Sequence, residues 1–151
     1  MALTYPNRMR KIVLLAPAAS IYPMSFLTRL GLFLGEMKIR PPARSVFKMI
    51  APKGTMFEET FIHLMEMVTR YCMPATMFPT VYTDKELRRI ELPTLLLIGD
   101  REKIYNPDKA IDRARRWMPN LTAEIIPNVG HTLNMEQPET INARILGFLS
   151  R

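Results

Sequence analysis

Cysteine occurs once in these 151 residues, at Cys72, which leaves no internal disulfide framework and no sign of an oxidising compartment. Histidine occurs only at His63 and His131. No grouping of His, Cys, Asp and Glu has the spacing of a zinc site, and no glycine-rich loop suits a phosphate. We therefore expect no cofactor and no metal. Long apolar runs are missing too: residues 12–19 and 94–98 fall far short of the roughly 20 residues that span a bilayer. A membrane helix is not expected, and the cytoplasm is the expected location.

What the chain has in excess is positive charge, +7 at pH 7. Such an excess attracts phosphates. Here it is dispersed in small groups (Arg8, Arg10 and Lys11; Lys38, Arg40 and Arg44; Arg88 and Arg89; Arg113, Arg115 and Arg116), without interleaved aromatics that stack bases. A solvated surface explains it better, and no nucleic-acid partner is expected. The basic cluster before Ile12 also has the outline of a secretory leader. Against that, Pro17 interrupts the apolar run, and the same residues make sense as a buried strand entered from a turn at Tyr5-Pro6-Asn7.

The pattern along the chain changes twice. Residues 9–16 read as a strand apolar on both faces, as a parallel strand covered by helices requires. Residues 23–90 have helical periodicity cut by Pro41, Pro42, Pro52, Pro74 and Pro79, and read as a helical insertion. Within it, Thr55 and Glu58 form a capping box for a helix reaching about Cys72, with Phe57, Phe61, Leu64, Met65, Val68 and Cys72 along one face. His63 falls off that stripe and reads as surface or packing. Thr83 and Glu86 open a second short helix through Ile90, with Tyr82 and Leu87 placed as a hydrophobic staple.

Residues 92–98 repeat the buried-strand signature and end in Gly99. Asn106 caps the next helix, with Pro107 at its first position and Ala110, Ile111, Ala114, Trp117 and Met118 as its apolar stripe. A short strand over residues 122–126 follows. Pro138 then opens a final helix whose Ile141, Ile145, Phe148 and Leu149 face the core. Alternating strands and helices imply right-handed parallel crossovers, hence an α/β fold with a short parallel sheet. Residues 1–22 and 91–151 form its core and residues 23–90 the insertion.

In such a sheet, functional residues gather in the loops leaving the carboxyl ends of the strands. Two of these loops are chemically loaded. Gly99-Asp100-Arg101-Glu102 follows one strand and Asn128-Val129-Gly130-His131 the next. A carboxylate beside an imidazole fixes its tautomer and stabilises the imidazolium formed in general-base catalysis. Taken singly, Glu102 and Asp100 also suit a solvated loop, and His131 a turn after glycine. Their order, spacing and strand context together favour the paired reading.

At these residues the chain resembles the α/β-hydrolase fold family. Pro93-Thr94-Leu95-Leu96-Leu97-Ile98-Gly99 looks like the family's acid-bearing strand and Gly130-His131 like its histidine turn. Glu136-Gln137-Pro138-Glu139 and the helix through Phe148-Leu149 are similar to its closing segment. Tyr5-Pro6-Asn7-Arg8 leading into residues 12–17 looks like the turn and strand that follow its nucleophile helix. The middle of the chain matches weakly, where the family places variable helical caps. The resemblance implies that His131 is the general base and Glu102 the acid, with Asp100 as runner-up. It also implies hydrolysis of an ester or other acyl substrate.

The family's Gly-x-Ser-x-Gly nucleophile elbow is absent. The serines are Ser20, Ser25, Ser45 and Ser150, and none has the flanking glycines. Cys72 reads as core. The resemblance therefore implies the carboxyl-terminal half of a hydrolase, not competent alone, without its oxyanion hole. The methionines Met49, Met56, Met65, Met67, Met73 and Met77 suit a small apolar acyl substrate, or ordinary core. An open edge at the residue 12–15 strand predicts association, with a second copy or with a separate amino-terminal half. The alternatives to an acyl hydrolase are a non-catalytic interaction module and a truncated reading frame.

Overall fold

A strand apolar on both faces needs cover on both sides, and the sheet in the computed structural model, which describes residues 2–36, 59–71 and 80–151, is built to give it. Its three strands are β1 (Ile12–Leu15), β2 (Thr94–Gly99) and β3 (Leu121–Ile126), ordered β1-β2-β3. All pairing is parallel: Ile12 stands opposite Thr94, and Gly99 opposite Ile126. β2, in the centre, is buried at every residue, whereas β1, on the edge, is only half-buried.

The helices described are α1 (Phe26–Glu36), α2 (Glu59–Tyr71), α3 (Asp84–Arg88), α4 (Pro107–Trp117), α5 (Leu133–Glu136) and α6 (Pro138–Leu149). Side chains of β2 alternate between two cores, as the pleat dictates. Leu96 and Ile98 pack with Leu87 and Ile90 of the α3 region and with Ile111, Ala114 and Met118 of the α4 region. Leu95 and Leu97 pack on the other side with Ile126, Val129, Leu133 and Ile141. The architecture is thus three-layered, with α3 and α4 on one face of the sheet and α5 and α6 on the other.

Local chemistry accounts for the helix starts. At α3, Thr83 Oγ1 accepts Glu86 N–H at 3.3 Å while Glu86 Oε2 accepts Thr83 N–H at 2.7 Å, a complete capping box. At α4, Asn106 Oδ1 accepts Lys109 N–H at 2.9 Å and Pro107 holds the first helical position. Arg113, from α4, donates to Asp84 at 2.6 Å, to Tyr82 O at 2.7 Å and to Ile21 O, tying the segments after β1 and before α3 to this face.

Some expectations shift. α3 ends at Arg88, and β3 begins at Leu121, boundary differences of one or two residues. In α6, Ile141 is buried and Ile145 and Phe148 pack on the core, but Leu149 is 50% exposed. At about 100° per residue, Ile145 and Phe148 stay within roughly 40° of Ile141, whereas Leu149 lies roughly 80° around the helix. Among the described side chains of α2 the buried one is Ile62, with Phe61 and Met65 half-buried, while Leu64 and Val68 are exposed. A helix with apolar residues on several sides leaves its buried face to be chosen by tertiary packing. Thr55, Phe57, Glu58 and Cys72 lie outside the described residues. Among those described, no helix is long and apolar enough to cross a membrane.

Candidate active site

The carboxyl ends of β2 and β3 are neighbours in the sheet, so the loops leaving them run side by side. Three backbone bonds fix the first loop: Asp100 N–H donates to Ile126 O at 3.0 Å, Arg101 N–H to Val129 O at 2.9 Å, and Glu102 N–H to Gly99 O at 3.3 Å. Gly99 lets the loops approach so closely. A Cβ there would stand 2.6 Å from the carbonyl oxygen of Gly130, and closer still to that of Val129, both of them backbone atoms. Asn128 adopts a left-handed conformation, φ 64°, which asparagine tolerates better than most residues. Its Oδ1 accepts from the Arg101 guanidinium.

This packing turns Glu102 inward. Its side chain is fully buried, and Oε1 accepts Ile104 N–H at 2.8 Å. Oε2 lies 2.6 Å from Nδ1 of His131, whose side chain is 21% exposed. An ionised carboxylate only accepts, so the proton of this bond sits on Nδ1, leaving the Nε2 lone pair to take another. A carboxylate so deeply buried is tolerable only with such partners. Asp100 stays exposed in the turn after Gly99, and Glu102 is the carboxylate that meets the histidine.

Two further residues complete the surroundings. Glu136, at the end of α5, accepts from Gly130 N–H and from the Thr132 hydroxyl. Tyr105 is buried in the loop before α4, and burial, helped by the charge of Glu102, raises its hydroxyl above the ordinary tyrosine range. Sequence reasoning missed both roles. Glu136 stood out only as part of a closing segment, and Tyr105 gave no signal.

Of the other candidates, Ser25 Oγ accepts Thr28 N–H at 3.2 Å at the start of α1, and Ser150 Oγ donates to Gly147 O at 3.3 Å. Ser20 is half-buried in the turn after β1, and His63 is exposed on α2. Ser45 and Cys72 lie outside the described residues. No group of three or more His, Cys, Asp and Glu able to hold a metal occurs among the described residues.

Known proteins share this arrangement of elements. The crystal structure of naproxen esterase (carboxylesterase NP) from Bacillus subtilis superposes with a TM-score of 0.86 at 28% identity, over 98% of this chain and 54% of that one. Carboxylesterase CesB (YbfK) from the same organism superposes with a TM-score of 0.81 at 31% identity, over the same shares. The chain has the α/β-hydrolase fold. In sequence, the chain is 48% identical over 73 residues to a protein described as uncharacterized carboxylesterase nap of Bacillus subtilis (strain 168), a match covering 48% of this chain and 24% of that protein. No family model matches. The chain spans about half the length of these solved relatives, 54%.

Proposed function

We propose that Glu102 and His131 are the acid and general base of a carboxylesterase-like site that hydrolyses an ester or other acyl substrate. One observation carries the reading: the 2.6 Å contact between a fully buried carboxylate and Nδ1 of an accessible imidazole. In this site Nε2 of His131 takes the proton of an attacking hydroxyl and returns it to the leaving group, while Glu102 holds the ring and stabilises its charged form. Names of similar proteins as carboxylesterases support the acyl class. The helical stretch carrying α1 and α2 serves as a cap, whose apolar side chains suit a small apolar acyl group.

On this reading the chain supplies acid and base while the nucleophile and oxyanion hole come from a separate segment. The test is turnover of short activated acyl esters by the purified chain and by His131→Ala, each alone and with the separately produced amino-terminal half of a similar carboxylesterase. Activity appearing only with the added half, and falling at least about a hundredfold in His131→Ala, is expected. Activity of the chain alone that His131→Ala abolishes would place a nucleophile within it, and Ser20, Ser25 and Cys72 would be replaced next. Equal turnover by both proteins with the half added would sink the role of His131.

A further inference from the structure

A histidine poised by a buried carboxylate is only as fixed as its backbone, and His131 follows Gly130, the residue type with the most conformational freedom. The flanking residues are held from outside the strand. Gly130 N–H lies 2.9 Å from Glu136 Oε2 and 3.1 Å from its Oε1, and the Thr132 hydroxyl donates to Oε1 at 2.8 Å. One carboxylate thus grips the residue before the histidine and the residue after it. Glu136 is itself anchored: its N–H donates to Thr132 O at 3.0 Å, and Leu133, in the same short helix, is 1% exposed in the core. Next to it, Gln137 Nε2 donates to Pro127 O at 3.0 Å, closing the far end of the loop.

We propose that Glu136 is a positioning residue for His131, acting through the Gly130 backbone on one side of it and the Thr132 hydroxyl on the other; this rests on the acid–base reading of Glu102 and His131. Hydrogen bonds to an ionised carboxylate are about twice as strong as neutral ones, so a loop whose Gly130 N–H and Thr132 hydroxyl both donate to one carboxylate keeps one conformation where a bare glycine loop samples several. The role differs from that of Glu102. Glu102 sets the ring's tautomer, and Glu136 sets where the ring stands. The Glu136 carboxylate touches neither the imidazole nor, on this reading, the substrate.

The test uses the intact chain and needs no turnover. In a sample labelled with nitrogen-15 at histidine, the Nδ1–H proton of His131 bonded to Glu102 is expected as a far-downfield resonance in slow exchange with water. Glu136→Ala should speed that exchange by on the order of ten- to a hundredfold, the range given by loss of a charged hydrogen bond. Glu136→Gln, whose carbonyl oxygen still accepts, should recover much of the protection. A merely structural role would lower the melting temperature and leave the exchange rate unchanged well below it. Should Glu136→Ala fail to fold, Thr132→Val removes the hydroxyl arm alone and should speed exchange in the same direction. Wild-type exchange rates in the folded variants overturn the positioning role while the pair with Glu102 stands. Absence of the resonance from the wild-type chain overturns the pair itself, and the proposal with it.

Discussion

Tyr105 has a buried hydroxyl with no hydrogen-bond partner among the described residues. An unsatisfied polar atom costs free energy, about 1–3 kcal/mol, and removing it with its shape preserved is nearly neutral or stabilising. Tyr105→Phe is therefore expected to unfold at equal or higher urea concentration than the wild type at pH 7, by up to about 1 kcal/mol. The same hydroxyl is raised above its ordinary range by burial first and by the charge of Glu102 second. Its folded value exceeds its unfolded value, so it adds no pH-linked penalty below about pH 10, and stability falls as pH rises beyond. Urea unfolding at pH 8 and pH 11 should show a smaller loss for Tyr105→Phe than for the wild type. Equal losses would remove Tyr105 from the alkaline response. Sequence could suggest Glu102 and His131 because each follows a strand end at a short spacing. Tyr105 depends on burial that only the fold supplies, and Glu136 on a four-residue helix that returns it to Gly130 and Thr132.

At the scale of elements, α4 follows directly from the loop that carries Glu102, so its start bears on the site. Asn106 caps it through Lys109 N–H. Asn106→Ala should cost about 1 kcal/mol, read as a lower urea midpoint with an unchanged slope; an unchanged midpoint would show that water replaces the cap at no cost. The start of α4 and the presence of β2, read at residues 92–98 and found at Thr94–Gly99, were legible in the sequence, since capping chemistry and an apolar run ending in Gly99 are local signals. α5 was not. Four residues hold too little periodicity to register, and this helix exists because Leu133 finds a core pocket against β2. The buried face of α2 was equally illegible, because an apolar composition spread around a helix does not say which side meets the core.

At the scale of the molecule, the sheet has open edges. β2 is flanked on both sides, whereas β1 and β3 each pair with β2 alone among the described residues. Apolar side chains on α1, among them Phe26 at 76% and Leu27 at 75%, are exposed as well. Open edges and apolar patches recruit partners, so light scattering during size exclusion should give a mass above the 17.5 kDa of one chain. A monodisperse monomer that binds little apolar dye would refute association through this surface. Gly99 has a consequence of another kind. It carries no chemistry, yet it is where β2 and β3 hand over to the two loops, and no side chain fits between it and the carbonyls of Val129 and Gly130. A survey that replaced only reactive side chains would pass over it. A survey of every position should find it among the least forgiving in the chain, because even a single methyl group there would wedge the loops of Glu102 and His131 apart.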